Sequence, residues 1–305
     1  MTRPPAHGGL PTRHGVSPSC VGLPAGDWPT FTDFLVQRFP ALDRSVWLDR
    51  MAAGLVADEF GDLVTPDRPY RGHMRLYYYR ALAAEPAIPF EAAVLFQDEH
   101  LVVADKPHFL PVTPSGSYLQ ETLLVRLKNQ LGIDSLIPIH RIDRETAGLV
   151  IFCVQPTERD AYQALFRRHE ISKRYEAIAP WRAELRFPLR RQSRIVGGEP
   201  FFRQMEVPGE PNSDTLVDVL HTQGGLARYA LTPVTGKKHQ LRVHMNALGM
   251  PILNDRIYPL VVAAPDDYAC PLQLLAKSIS FVDPITVQAR RFNSRHCLSI
   301  RSGDG

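Results

Sequence analysis

The chain reads as an α+β protein: a mixed, largely antiparallel sheet with flanking helices, behind a small N-terminal accessory module. Three observations predict that class. Strand-like runs with turn residues between them cluster after residue 90, as in AAVLFQDEHLVVADKP (92–107). Helical patterns are few and short, and they do not alternate regularly with the strands, which disfavours a doubly wound parallel sheet. There are no internal repeats, and 305 residues are enough to bury a sizeable core.

Residues 1–29 are rich in Pro, Gly, Ser and Thr without periodicity, and are predicted to be an extended arm. Residues 30–88 form the accessory module. Phe31, Phe34, Leu35 and Phe39, then Val46, Trp47, Met51, Leu55 and Val56, fall near helical spacing, with Pro40 and Asp43 separating two short helices. Strands are predicted around Leu63–Val64 and Leu76–Tyr79, and AAEPAIPFEA (83–92) reads as a linker. The main domain is placed at 89–290, opening with two strands around an Asp-Glu-His turn. Leu123, Leu124, Leu127 and Leu131 line one side of a helix over 122–132 that stops at Gly132. Leu149–Val154 is a buried strand, Thr157 and Asp160 cap a helix running to His169, and Arg174–Ala179 is again strand-like. The tail, 291–305, carries no pattern.

Composition is that of a soluble globular protein, with 44% hydrophobic and 22% charged residues. No apolar run is long enough for a membrane span, and the N-terminus lacks a signal-peptide core, so the expected location is the cytoplasm. Cys20, Cys153, Cys270 and Cys297 are far apart and form no C-x-x-C pair, which points to free thiols and no metal site. The net charge of +3 is uneven: residues 1–100 hold nine Arg, no Lys and twelve acidic residues, so the rest carries about +6. The densest basic stretch, 167–194, contains Arg167, Arg168, Lys173, Arg174, Arg182, Arg186, Arg190, Arg191 and Arg194. A phosphate-bearing partner would neutralise such a surface; a solvated Arg-rich face is the plain alternative.

The most informative stretch is IHRIDRETAGLVIF (139–152), which sets Asp143 between charged neighbours just ahead of a strand. A protein-kinase H-R-D loop is excluded, because that loop needs Asp directly after Arg and an Asn further on. The order of residues closely resembles the HRLD-x-x-T-S-G-L signature of the RluA-type pseudouridine synthases, with Ile142 for Leu and Ala147 for Ser. Four further segments extend the resemblance in the family's order. VVADKPHFLPVTP is similar to its first motif, with Asp105 for the usual Asn. Lys173-Arg174-Tyr175-Glu176-Ala177 is similar to K-x-Y-x-A. LTPVTGKKHQLRVHMNALGMPILND (231–255) is similar to the T-G-R-x-H-Q-[IL]-R-V-H block, with Lys237 for Arg and a helix expected over Lys238–Leu248. LQLLAKSISFVDP (272–284) is similar to L-x-L-H-A-x-x-L-x-F-x-H-P, with Leu275 and Asp283 for the two histidines and Val287 beyond it for a frequent Gly.

The resemblance implies an RNA pseudouridine synthase that needs no cofactor and no metal. Asp143 would be its catalytic residue, Arg242 the partner of that carboxylate, Tyr175 the active-site tyrosine and Leu274 the wall of the uracil pocket. Arg141 would fill the space left by a flipped-out nucleotide. Arg167, Arg168, Lys173, Arg174, Lys237 and Lys238 would hold RNA phosphates. Residues 30–88 loosely resemble the S4-type RNA-binding module, although that region is not basic, and a degenerate packing module fits it as well. An aspartate can act here as nucleophile on C6 or C1′, or as base on a sugar proton, and the sequence does not choose. His140, His239 and His244 read as structural. Two other classes stay open: a catalytically silent RNA-binding protein of this fold, and an aspartate-dependent glycosidase with Glu145 as the nearest second carboxylate. Transfer and ribosomal RNA are both open as substrates. Monomer is the default, with no protein partner indicated.

Overall fold

The computed structural model describes residues 10–80 and 85–300. Its chain forms two compact units. One comprises Met1–Pro86 with Pro114–Glu121 and Val125–Asp134; the other comprises Ala87–Thr113, Thr122–Leu124 and Ser135–Gly305. No helix among the described residues is long and apolar enough to cross a membrane.

The first unit contains β1 (Ser19–Gly22), α1 (Phe31–Arg38), α2 (Arg44–Ala52), β2 (Val56–Asp58) and β3 (Arg75–Tyr78). Thr30 starts α1 with a capping box, exchanging hydrogen bonds with Asp33 in both directions. The apolar faces of α1 and α2 place Phe31, Phe34, Leu35, Trp47 and Met51 in one core with Val56, Leu76 and Tyr78. β3 is the central strand, with β1 and β2 antiparallel on either side.

Three expectations change in this unit. Residues 1–9 lie outside the described residues, but the rest of the predicted arm is not a free extension. Ser19–Gly22 pairs with β3, and Val21 and Leu23 are buried in the core, because short alternating apolar residues within a Pro- and Gly-rich stretch suffice for an edge strand. Leu63–Val64 makes a single bridge from Leu63 to Ala57 instead of a strand. The Asp58 carboxylate accepts the Phe60 and Asp62 N–H groups and curls the chain too tightly for a ladder. Finally, 114–121 and 125–134 belong here and not to the main domain. The Glu85 carboxylate takes the N–H groups of Leu119, Gln120 and Glu121, and Val125 packs with Val16 and Leu119. Residues 83 and 84 of the predicted linker lie outside the described residues.

The rest of the chain supplies β4 (Ala93–Gln97), β5 (Leu101–Lys106), α3 (Leu123–Leu131, whose first two residues count with the second unit), β6 (Ile137–Pro138), β7 (Ala147–Cys153) and α4 (Arg159–Arg167). There follow β8 (Ser172–Pro180), β9 (Leu189–Gly197), β10 (Gln204–Val207), β11 (Ser213–Gln223), β12 (Leu226–Pro233), α5 (Gln240–Ala247), β13 (Leu274–Val282) and β14 (Ala289–Asn293). The sheet runs β10-β9-β11-β12-β8-β13-β7-β5-β4, with β6 on β7 and β14 on β13. Every pairing is antiparallel except β13 with β7, so the sheet is mixed and largely antiparallel. The middle strands β5 and β7 are buried along their whole length, as apolar runs covered on both faces must be.

Gly148 makes the one parallel joint possible. Its φ is +108°, and a Cβ there would meet the Ala276 carbonyl oxygen at 2.3 Å. The predicted cap of α4 is absent: its N-cap is Glu158, whose side chain makes no capping bond and instead contacts His100 at 3.0 Å. The tail is ordered further than expected. Asp105, which stands where the family has Asn, is buried and accepts hydrogen bonds from the Ser294 hydroxyl and the Arg295 N–H, both 2.7 Å, and Leu298 is buried beside Leu275. Asp283, in place of a family histidine, takes the N–H groups of Ile285 and Thr286 and the Tyr162 hydroxyl. Val287 keeps a glycine-like φ of +59°.

Candidate active site

Asp143 lies on the loop between β6 and β7, in a turn closed by Thr146 N–H donating to its carbonyl at 3.1 Å. Lys106, at the end of β5, braces that loop from below. Its fully buried amine donates to the carbonyls of Pro107 (2.9 Å) and Arg144 (3.0 Å), and burial pulls it down to about 7 despite the nearby Glu145 and Asp143. His108 adds a bond of 2.7 Å to the Glu145 carbonyl.

α5 brings the opposing charge. Its start is fixed by Gln240, whose amide oxygen accepts from the Thr235 hydroxyl and the Lys237 N–H, and whose amide nitrogen donates to the Asp214 carbonyl and the Thr215 hydroxyl. These bonds hold Lys238 and His239 in a turn, with His239 at φ +55°, so the helix begins two residues later than predicted. Arg242 is 1% exposed and fully committed. Its Nε and Nη2 form a two-pronged pair with the completely buried Asp255 (2.8 and 2.7 Å), leaving Nη1 to donate to Asp143 Oδ2 at 3.2 Å. Glu145 Oε2 stands 3.8 Å from the same Nη1. Asp255 is itself oriented by the N–H groups of Ile257 and Tyr258.

Tyr175 and Leu274 share one face of the sheet. Tyr175 on β8 is opposite Ala276 of β13, and Leu274 is opposite Ala177, so all four side chains point the same way. That face packs under α5 through Leu241 and Met245. Burial, and then the charge of Asp143, push the Tyr175 phenol well above its ordinary range. The structure therefore brings Asp143, Arg242, Tyr175 and Leu274 to one end of the sheet. Arg141 is two residues before Asp143 on the same loop, exposed and without a polar partner among the described residues.

Residues 100–247 match the family described as RNA pseudouridylate synthase. The chain is 31% identical over 232 residues to an uncharacterized RNA pseudouridine synthase of Synechocystis sp., covering 74% of this chain and 78% of that one. It is also 31% identical to the dual-specificity RNA pseudouridine synthase RluA of Haemophilus influenzae, covering 66% of this chain and 92% of the relative. The chain belongs to the RluA-type RNA pseudouridine synthases. The solved structure of human RNA Pseudouridylate Synthase Domain Containing 1 shares the fold, with a TM-score of 0.57 at 19% identity, covering 70% of this chain and 86% of that one.

The basic residues of this RluA-type chain divide into two sets. Arg168, Arg174, Lys237 and Lys238 are exposed and unpaired among the described residues. Arg167 pairs with Asp160 at 2.8 Å, and Lys173 is half-buried with its amine on the Thr235 carbonyl at 3.2 Å. Further along, Arg182, Arg190 and Arg191 pair with Glu184, Asp214 and Glu206. The dense basic stretch is thus less available than its composition suggests, because four of its nine basic residues are neutralised by acidic partners, three of which lie outside the stretch.

Four residues near Asp143 had no role predicted in the pseudouridine synthase site, although Glu145 was named as the nearest second carboxylate under the glycosidase alternative. Asp255 sits at the end of the matched block but pairs with Arg242 only in three dimensions. Lys106 is part of the first motif. Glu145 is brought to the site by its contact with Arg242. His239 Nε2 lies 3.9 Å from Asp143 Oδ1, with Nδ1 3.1 Å from the Tyr258 hydroxyl. His140 and His244 are structural: His140 accepts the Ile151 N–H at 3.1 Å, and His244 is buried among Ser193, Ser213 and Thr215. Among the described residues no group of three or more His, Cys, Asp or Glu side chains could hold a metal ion.

Proposed function

We propose that this protein isomerises uridines in structured RNA (transfer RNA, ribosomal RNA or both) to pseudouridine, with Asp143 as the reacting carboxylate. The observation that carries this reading is the geometry at Arg242. Because Asp255 occupies Nε and Nη2, the guanidinium cannot swing away, and Nη1 faces Asp143 Oδ2 at 3.2 Å. That fixed cation holds the Asp143 carboxylate in place, ready to attack C6 or C1′ or to take a sugar proton.

The reaction breaks the N1–C1′ bond, joins C1′ to C5 and moves the C5 proton to N1, with no change in oxidation state. Tyr175 keeps its phenolic proton at neutral pH, which suits it to stack on the base and to relay that proton. Leu274 gives the detached uracil an apolar wall to turn against. A stacked uridine cannot reach Asp143, so the nucleotide is flipped out, and the exposed Arg141 takes its place in the helix. Arg168, Arg174, Lys237 and Lys238 hold the flanking phosphates, with Arg167 and Lys173 joining them only if their present partners are exchanged.

The test is tritium release from C5-tritiated uridine in bulk transfer and ribosomal RNA, without added cofactor. Wild type should release tritium, and Asp143→Ala should lose at least about three decades of rate, roughly 4 kcal/mol of barrier. Wild-type protein that binds RNA yet releases nothing would make this a silent RNA-binding protein.

A further inference from the structure

Arg50, in the last turn of α2, is 7% exposed, and its Nε and Nη1 are fully buried without a hydrogen-bond partner. No carboxylate pairs with it among the described residues. A guanidinium has five donors, and burying it unpaired is costly. Its plane lies over Trp47 (4.9 Å) and near the Tyr78 ring (6.0 Å), which offsets part of the charge but satisfies no N–H. Nη2 is the nitrogen left to meet a ligand.

Two more arginines converge on the same place. Arg38 ends α1, exposed, over the Phe39 ring that itself abuts Tyr78. Arg80 follows β3 and uses one nitrogen on the Gly116 carbonyl. The charged groups that act on the Tyr78 phenol are Arg80, Arg50 and Arg38, with Cys20 of β1 as the remaining titratable neighbour, and none is a carboxylate. Elsewhere in this unit Arg44 has Asp33 and Arg68 has Asp58, and the arginines without an ion pair among the described residues, Arg13, Arg71 and Arg75, are exposed, so Arg50 stands apart in being unpaired and buried. Residues 1–100 are acidic overall, so three unpaired cations around one phenol are a local arrangement and not a by-product of composition.

We infer that Arg38, Arg50, Arg80 and the Tyr78 hydroxyl form a phosphate site, and that its occupant is a backbone phosphodiester of the RNA substrate. A phosphodiester supplies the missing negative charge and oxygens that accept from guanidinium and phenol together. The inference rests on RNA as the substrate and assigns the N-terminal unit a part in holding it.

The experiment uses the full chain as wild type, Arg50→Met, which keeps the apolar stem, and Arg38→Gln, an exposed change that leaves the core intact. Binding to bulk transfer and ribosomal RNA is titrated at several salt concentrations. Each variant should bind about 5- to 10-fold more weakly, and the slope of log K against log salt should fall by about 1 per lost phosphate contact. At saturating RNA, tritium release should be unchanged while KM rises. Wild-type affinity and slope in both folded variants would overturn the inference. So would inorganic phosphate raising the melting temperature of wild type but not of Arg50→Met while RNA binding is the same in both, since the site would then serve free phosphate. Failure of the isomerase reading shows separately, as wild type that binds RNA but releases no tritium; the salt slopes still decide the phosphate site.

Discussion

Two buried guanidiniums of this chain are held on opposite terms. Arg242, on α5, meets Asp255 with two nitrogens and Asp143 with the third, and Glu145 stands nearby. Arg50, on α2, is nearly as buried and meets two aromatic rings, with another cation, Arg80, as its charged neighbour. The contrast teaches what each burial is for. A cation clamped by a dry carboxylate is a fixed instrument, able to act on the one group left beside it. A cation buried without a counter-charge among the described residues is unfinished, and the proposed phosphodiester would complete it from outside the unit.

The comparison can be broken most decisively at Asp255. Asp255→Asn should leave Arg242 charged and half-unpaired in a closed site, costing about 3–5 kcal/mol of stability. Tritium release should fall with it, since Arg242 is then free to leave Asp143. Urea unfolding together with the release assay checks both, and a variant of full stability and activity would show that the clamp is dispensable.

A smaller effect sharpens the same point two residues along α5, where burial has the reverse outcome. His244 is fully buried and neutral, pulled down to about 4 chiefly by desolvation, with hydrogen bonds of 2.9 Å to Ser213 and Thr215. The unfolded chain binds its proton near pH 6.5, so between 6.5 and about 4 the unfolded state holds more protons. Stability from this residue is full above 6.5 and is lost as pH falls, by at most ~1.4 kcal/mol per pH unit. His244→Gln should cost about 1–3 kcal/mol at pH 7 through broken hydrogen bonds, yet show a shallower loss between pH 7 and 5. Denaturant melts at the two pH values decide it.

The smallest expected effect is at the other pole. Arg50→Met should change stability by less than about 0.5 kcal/mol or raise it, because an unpaired buried charge is replaced by an apolar chain of similar length. A loss of several kcal/mol would mean that Arg50 has a hidden structural partner.

How much of this was legible in the sequence depended on range. The motif around Asp143, the alternation in β4 and β5 and the stripe of α3 are local patterns, and each element stands close to where it was read. β9 was not read, because its half-buried face is Arg191, Ser193 and then Ile195, and a polar inner face erases the alternation that marks a strand. The four main site residues were named through the resemblance, whereas Asp255 was not, since its meaning lies wholly in a contact thirteen residues away across a loop. The late start of α5 was hidden for a related reason: Gln240 bonds to β11, which no local window includes. The predicted basic face was half cancelled by Asp160, Glu184, Glu206 and Asp214, three of them outside the stretch counted.

One feature of the sheet bears on how the protein comes into being on the ribosome. β7 and β8 do not touch; β13 lies between them, parallel to one and antiparallel to the other. The loop that carries Asp143 leads into β7, and Tyr175 is on β8, so the two halves of the site are joined by a strand that emerges about a hundred residues after Tyr175. Until Leu274–Val282 has left the exit tunnel, the nascent chain holds two sheet fragments with open edges, and no active centre. Competence therefore waits for the one strand that joins the two fragments, and arrives with it all at once.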